Sequence, residues 1–279
     1  MNQGTLYIVA TPIGNLSDIS YRAIDVLKQV DVVAAEDTRH SKPLLHHYGI
    51  DTSMLAYHEH NEVQLTPRLI ERLLAGESVA LISDAGTPLL SDPGYRLVKM
   101  AHEAHIKVSP IPGACAAIAA LSACGLATDR FLFAGFPPHK QGPRQRFYED
   151  LRYQSSTLIF YESSHRILAS VYDMLGVLGG ERQIVMAREI TKTFETIHNT
   201  SLLELPDWLE ADTNQRKGEF VLIVEGMRDE PDTQSIQIEQ ILQALLSELP
   251  VKQASQLTAK ITGMKKNQVY KKALEMSGK

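Results

Sequence analysis

The amino-acid sequence predicts two α/β domains with mainly parallel sheets and a cleft between them, followed by a small all-helical unit. Three observations carry that expectation. Short runs rich in Val, Ile and Leu recur at 5–10, 30–35, 78–83, 106–111, 131–135, 157–161, 183–187 and 219–224. Helical patterns separate them, and strands alternating with helices imply parallel sheets covered on both faces. The runs form two groups on either side of Gly125-Leu-Ala-Thr, and beyond Gly226 a polar, acidic segment leads into apolar positions 238, 241, 242, 245, 246 and 249 at helical spacing. The expected division is 1–125, an N-terminal α/β domain; 126–228, a second α/β domain; and 229–279, an acidic linker with a basic helical tail.

The elements follow in order. Residues 18–28 place Ile19, Ala23, Val26 and Leu27 on one face, and 65–75, 94–104 and 166–178 carry similar helical periodicity. Gly49, Gly76, Gly125 and Gly176 fall where helices should stop. Ile111 to Leu126 is rich in alanine and reads as a small-residue helix packed on a sheet. It holds Cys115 and Cys124, the two cysteines of the chain. Nine helical residues separate them by about 13–14 Å, too far for a disulfide, and no cysteine-based zinc site can be built from them. In the tail, a helix from Lys252 to Ile261, Thr262-Gly263-Met264 and a helix from Lys266 to Met276 resemble a helix-turn-helix unit.

At 279 residues, 44% hydrophobic and 22% charged, the chain falls in the soluble globular class. No run approaches the ~20 apolar residues of a spanning helix. Met1-Asn-Gln-Gly leads into Leu6-Tyr-Ile-Val-Ala without the basic flank and cleavage site of a secretory signal, so a cytoplasmic location and no membrane partner are expected. The net charge of −5 is uneven: residues 229–250 hold five acids and no Lys or Arg, whereas 251–279 hold seven lysines against Glu275. That asymmetry gives the tail its own electrostatic task. Lys252, Lys265 and Lys266 are its expected phosphate-binding side chains.

Absent motifs narrow the chemistry. None of the 17 glycines stands two positions from another, and no Gly-rich loop ends in Gly-Lys-Ser/Thr. The dinucleotide fingerprint and the P-loop are therefore missing. His58-Glu-His60 with Glu62, and His46-His47, do not match a zinc-helix motif, and no metal is expected. What remains is a set of polar turns after strands, four of the six containing Gly or Pro: Thr11-Pro-Ile-Gly-Asn-Leu16, Glu36-Asp-Thr-Arg39, Ser83-Asp-Ala-Gly-Thr-Pro88, Pro110-Ile-Pro-Gly-Ala-Cys-Ala116, Gly135-Phe-Pro-Pro138 and Tyr161-Glu-Ser-Ser-His-Arg166. Ligands of open α/β sheets bind at the carboxyl ends of strands, so these turns can converge on one cleft. Asp84 closes an apolar strand, and Ala85 and Gly86 leave backbone open to close approach, which suits a compact ligand bearing an amine and a carboxylate.

Those turns, with Ala35-Glu-Asp-Thr-Arg, Ser91-Asp-Pro-Gly94, Phe160-Tyr-Glu-Ser-Ser-His-Arg, Arg188-Glu-Ile-Thr-Lys192 and Gly218-Glu-Phe-Val, resemble the tetrapyrrole methylase superfamily. Within it they are most similar to the branch that 2′-O-methylates a cytidine of 16S rRNA. The resemblance runs in order over residues 5–226, and the basic tail suits that branch. It implies a homodimer, 16S rRNA or the 30S subunit as partner, and S-adenosylmethionine folded in the cleft. Its contacts would be Pro12, Asp84, Ala85, Gly86, Thr87, Leu90, Ala114 and Ala116, with Phe160 and Met186 as apolar walls from the second domain. Relatives acting on tetrapyrroles carry Gly-Gly-Asp-Pro where this chain has Ala85-Gly-Thr-Pro88, which turns the expectation away from porphyrinoids and leaves the role of Thr87 open. Methyl transfer to a ribose hydroxyl calls for a base; Asp37 or His165 is the expected proton acceptor, with Glu36, Arg39, Glu162 and Arg166 on the substrate side. The competing readings are a methyltransferase for a tetrapyrrole or another small molecule, and a non-catalytic RNA-binding assembly factor.

Overall fold

The computed structural model describes residues 3–227 and 233–276. Asp229, Glu230 and Asp232 of the expected acidic linker, and Lys279, lie outside the described residues. The chain divides into two compact units, 1–150 with 157–225, and 151–156 with 226–279.

The larger unit holds two five-stranded sheets. The first contains β1 (Thr5–Val9), β2 (Val32–Ala35), β3 (Met54–Ala56), β4 (Val79–Ile82) and β5 (Lys107–Ile111) in the order β3-β2-β4-β1-β5. All its pairings are parallel. Every residue of β2 and β4 is buried, as expected of strands covered on both faces. On one face Leu6, Val32, Ala34 and Leu81 pack against α3 (Glu62–Leu74) and α4 (Tyr95–Glu103); on the other Val9, Val33, Ala35 and Ile82 pack against α1 (Tyr21–Gln29) and α2 (Thr38–His47). Side-chain caps start two of these helices: Ser20 accepts from the Ala23 N–H, and Asp37 from the Arg39 N–H.

The alanine-rich stretch forms α5 (Ala116–Ala123), with Cys115 and Cys124 just beyond its ends. Although it belongs to the first half of the sequence, Ala117, Ala120 and Leu121 pack on the second sheet. That sheet contains β6 (Phe131–Gly135), β7 (Thr157–Ser163), β8 (Gln183–Arg188), β9 (Thr196–Ser201) and β10 (Glu219–Val224), in the order β6-β7-β10-β8-β9. Here β6 and β7 are parallel while the other three pairings are antiparallel, so parallel pairing holds for five of the eight over both sheets. The β8–β9 pair is antiparallel because a seven-residue connection joins the two strands, too short for the helical crossover a parallel pair requires. The remaining helices of this unit are α6 (Gln141–Leu151), α7 (Ile167–Leu178) and the short α8 (Leu205–Ala211). Gly176 lies inside α7, which instead stops at Gly179 with φ +92°.

The smaller unit contains α9 (Thr233–Leu246), α10 (Val251–Thr262) and α11 (Lys266–Met276). Leu242, Val269 and Ala273 form its core, with Leu246, Val251, Ala259 and Met264 packed around them. Gly263, at φ +71°, turns the chain between α10 and α11, and the Met227 N–H donates to the Gln154 carbonyl at 2.8 Å. Lys252, Lys265 and Lys266 are exposed, while Lys272 pairs with Glu239 at 2.7 Å. Among the described residues no helix is long and apolar enough to cross a membrane.

Candidate active site

The carboxyl ends of β1, β2, β4 and β5 face β7 and β10 of the second sheet across a cavity of about 440 Å³. Three loops of the first half are tied together on its floor. Thr11 and Gly86 exchange backbone hydrogen bonds at 2.9 and 3.0 Å, the Thr11 hydroxyl donates to the Ser83 carbonyl at 3.3 Å, and the Thr87 hydroxyl donates to the Ala114 carbonyl at 3.1 Å. Gly86 is needed here: its φ is +83°, and a Cβ would stand 3.2 Å from Ile13 Cγ2.

Acids gather on the first-half wall. Asp84 Oδ1 accepts the Asp37 N–H at 3.0 Å, and Glu36 Oε2 accepts the Asp84 N–H at 3.4 Å. Burial pushes the Glu36 carboxyl up, and burial with the neighbouring Glu36 and Asp84 charges pushes Asp92 up to about 6. Leu89 and Ser91, at φ 73° and 69°, flank Leu90 and precede Asp92. Glu189 and Thr191, at 51° and 67°, flank Ile190 on the opposite wall. Left-handed non-glycine residues are costly and collect at functional sites, and here four of the five in the described chain sit beside cavity-lining positions.

The second-half wall is mixed, with Phe136, Tyr161, Ile190, Phe220 and Val221 beside Glu162, Ser163, Ser164, Lys192 and Glu219. The Tyr161 hydroxyl accepts the Ala117 N–H at 3.2 Å, and burial pushes the phenol up, so it stays protonated. Phe136, half exposed, meets Tyr161 edge-on at 5.5 Å. Lys192 is held between Glu189 at 2.9 Å and Glu219 at 2.8 Å. Its stem lies on Gly14, where a Cβ would come within 2.4 Å of Lys192 Cγ.

Of the residues expected from sequence, Glu36, Asp84, Ala85, Gly86, Thr87, Leu90, Ala116 and Glu162 line the cavity. Pro12 and Ala114 adjoin it through Ile13 and through the Thr87–Ala114 bond. Phe160 and Met186 do not line it. They share one cross-strand row with Leu222, facing Tyr148, whose ring meets Phe160 at 5.7 Å; the adjacent row, Tyr161, Val221 and Ala187, faces α5. Side chains alternate along a strand, so a shift of one residue exchanges core for cavity.

The expected bases are also displaced. Asp37 caps α2 by accepting the Arg39 N–H at 2.8 Å and accepts from the Arg39 guanidinium through both oxygens, at 3.1 and 2.7 Å; the Arg39 guanidinium holds its carboxyl well below the usual range, the wrong direction for a proton acceptor. His165 lies exposed in the turn after β7, outside the cavity wall. Arg39 is exposed and paired with Asp37. Arg166 is committed to Glu162 at 3.0 Å, the Ser163 hydroxyl and the Pro137 carbonyl, which turns this pair into a buried brace. Ile13, Asp92, Phe136, Tyr161, Ile190 and Lys192 also line the cavity; they stand inside the motifs read from the sequence but had no site role there, and the signal available for Asp92 was an acid followed by Pro-Gly a few residues beyond a strand-end turn.

The cavity suits the cofactor that the resemblance implies. Its volume lies in the usual range of roughly 300–1,000 Å³ for ligand pockets. Glu36 and Asp84 complement a sulfonium and an ammonium, the Thr11–Gly86 bridge brings backbone to the surface, and Phe136, Tyr161, Ile190, Phe220 and Val221 put apolar surface on the opposite wall.

The sequence profile described as Tetrapyrrole (Corrin/Porphyrin) Methylases matches residues 5–206, and that described as RsmI C-terminal HTH domain matches 232–277. A Pseudomonas aeruginosa protein named ribosomal RNA small subunit methyltransferase I is 54% identical over 281 residues, covering 100% of both chains. Proteins of the same name from Escherichia coli O157:H7 and Vibrio cholerae are 52% and 53% identical, covering 99% and 98% of this chain and 97% and 95% of theirs. Among solved structures, a diphthine synthase superposes with TM-score 0.63 at 18% identity, covering 80% of this chain and 90% of that one. A uroporphyrin-III-C-methyltransferase from Thermus thermophilus superposes with TM-score 0.57 at 21% identity, covering 80% and 94%. These two likenesses concern the fold.

Proposed function

The chain belongs to the tetrapyrrole methylase family, and on that premise we propose that it transfers a methyl group from S-adenosylmethionine to the 2′-hydroxyl of a cytidine in 16S rRNA. The observation that carries this reading is similarity over the whole length, tail included, to proteins named for small-subunit ribosomal RNA. When bound, the cofactor supplies an electrophilic methyl group. Asp84 and Glu36 would face its cationic groups, the 84–87 turn would offer backbone hydrogen bonds, and Tyr161, Ile190 and Val221 would exclude water from the reacting centre. Alignment alone can contribute about 7–11 kcal/mol to such a transfer.

The rest of the proposal concerns partners. Exposed Lys252, Lys265 and Lys266 would hold RNA phosphates, and Arg39 a phosphate beyond the cavity rim. The enzyme would work as a homodimer in the cytoplasm, against 16S rRNA or the 30S subunit; analytical ultracentrifugation checks the dimer. Incubation with radiolabelled methyl donor and, separately, 16S rRNA, 30S particles and tetrapyrrole precursors tests the substrate. Label is expected on one cytidine ribose, and label confined to a tetrapyrrole would overturn the reading. Absence of cofactor binding in a calorimetric titration would favour the non-catalytic factor.

The tail has its own test. Neutralising two phosphate contacts in Lys265→Gln/Lys266→Gln should flatten the log–log salt dependence of RNA binding by about 1.4–1.8. Cofactor affinity should stay unchanged. An unaltered slope at matched salt would assign those lysines to solubility.

A further inference from the structure

We propose that Asp92 is the catalytic proton acceptor, taking the proton of the ribose hydroxyl as that oxygen receives the methyl group. The inference rests on the RNA methylation reading above and names a residue for it.

Each of the other acids of the wall gives one oxygen to a backbone N–H or an ion pair, and the second oxygen of Glu162 is buried without a partner. Asp84 takes the Asp37 N–H and Glu36 the Asp84 N–H. Glu162 takes Arg166 and the Ser163 N–H, with its side chain fully buried. Glu219 takes Lys192 and is 81% exposed. Asp92 takes no backbone N–H and no ion pair among the described residues, is partly buried, and lines the cavity with Tyr161, while the nearby Ser83 hydroxyl donates to the Ala85 carbonyl at 3.3 Å. It is presented by a segment with left-handed Leu89 and Ser91, a backbone cost that simple chain reversal does not require.

The charged and titratable groups around it are Glu36 after β2, Asp84 after β4, and Tyr161 on β7. Two carboxylates raise its proton affinity, and the protonated phenol adds no charge. Burial and these neighbours bring it up to about 6, close enough to neutrality for the ionised form to dominate at pH 7 while remaining a useful base. The step balances. The hydroxyl oxygen bonds to the methyl carbon as the carbon–sulfur bond breaks, its electron pair stays on sulfur, and the proton passes to an Asp92 oxygen. A sulfonium cation and a carboxylate thereby become a neutral thioether and a neutral acid.

The test is single-turnover transfer to 30S particles at saturating cofactor from pH 5 to 9, with calorimetric titration of S-adenosylmethionine as a separate reading. In the wild type the rate should rise about tenfold per pH unit below the Asp92 pKa and level above it. Asp92→Asn should lose that limb and fall about 10²–10⁴-fold at pH 7.5, with cofactor affinity within threefold; Asp92→Glu should recover part of the rate. Three outcomes overturn the inference: a wild-type profile flat through pH 6, an Asn variant as fast as the wild type, or an Asn variant that loses cofactor affinity but not rate at saturation. A flat wild-type profile overturns the inference even if the variants misfold. Wild-type enzyme that labels no RNA would remove the function itself, whereas labelling undiminished in Asp92→Asn removes this residue alone.

Discussion

Asp173→Leu will lower the unfolding free energy by about 3–5 kcal/mol, because it leaves a guanidinium buried without its counter-ion. Arg144 and Asp173, 5% and 4% exposed, pair at 2.6 Å between α6 and α7. Gln141 and Gln145 donate to the other carboxylate oxygen at 3.2 and 2.9 Å, and Arg144 also donates to the His139 carbonyl at 3.0 Å. Removing the carboxylate therefore strands four donors in a packed region beside the Tyr148–Ser170 hydrogen bond of 2.6 Å. The paired state itself is near break-even against an apolar pair, since desolvation offsets most of the Coulomb gain. Arg144→Met/Asp173→Leu should accordingly recover much of the loss, less what the two glutamines forfeit. Urea unfolding with an unchanged m-value checks both; a double variant no more stable than the single one would show that the pair contributes strongly in its own right.

What the sequence disclosed and what it hid have physical causes. The buried strands of the first sheet are legible because parallel strands covered on both faces must be continuously apolar, as Val32–Ala35 and Val79–Ile82 are. The turns after them are legible because glycine and proline mark where backbone must come close to a ligand. Helix α2 escaped because Pro43 and His46-His47 interrupt its pattern, though Pro43 is tolerated near the middle of ten helical residues. β9 escaped because Thr-Ile-His-Asn-Thr-Ser is an edge strand with little burial. The second-half wall was misread by one residue: motif text names Phe160 and Tyr161 together, and only the pairing register decides which enters the cavity. Asp37 against Asp92 is the same lesson in electrostatics. Both follow strands in acid-bearing turns, but one meets an arginine and the other meets two carboxylates.

Gly86→Val should weaken S-adenosylmethionine binding at least tenfold, the equivalent of about 1.4 kcal/mol. At φ +83° a β-branched residue has two outcomes. It can keep the left-handed conformation at a cost of about 1–2 kcal/mol or more, with its side chain forced toward Ile13, itself part of the wall. Or it can relax, which breaks both hydrogen bonds to Thr11 and moves Ala85 and Thr87, whose hydroxyl anchors the 112–116 loop. Either way the surface that should cradle the cofactor changes shape, while the core strands behind it stay packed. Gly86→Ala serves as the graded control, since a single Cβ 3.2 Å from Ile13 Cγ2 needs a shift of only a few tenths of an ångström in addition to the backbone cost. Calorimetric titration of each variant against wild type, with the melting temperature followed in parallel, separates local from global damage. Valine binding as tightly as glycine would mean that this turn does not form the cofactor's floor.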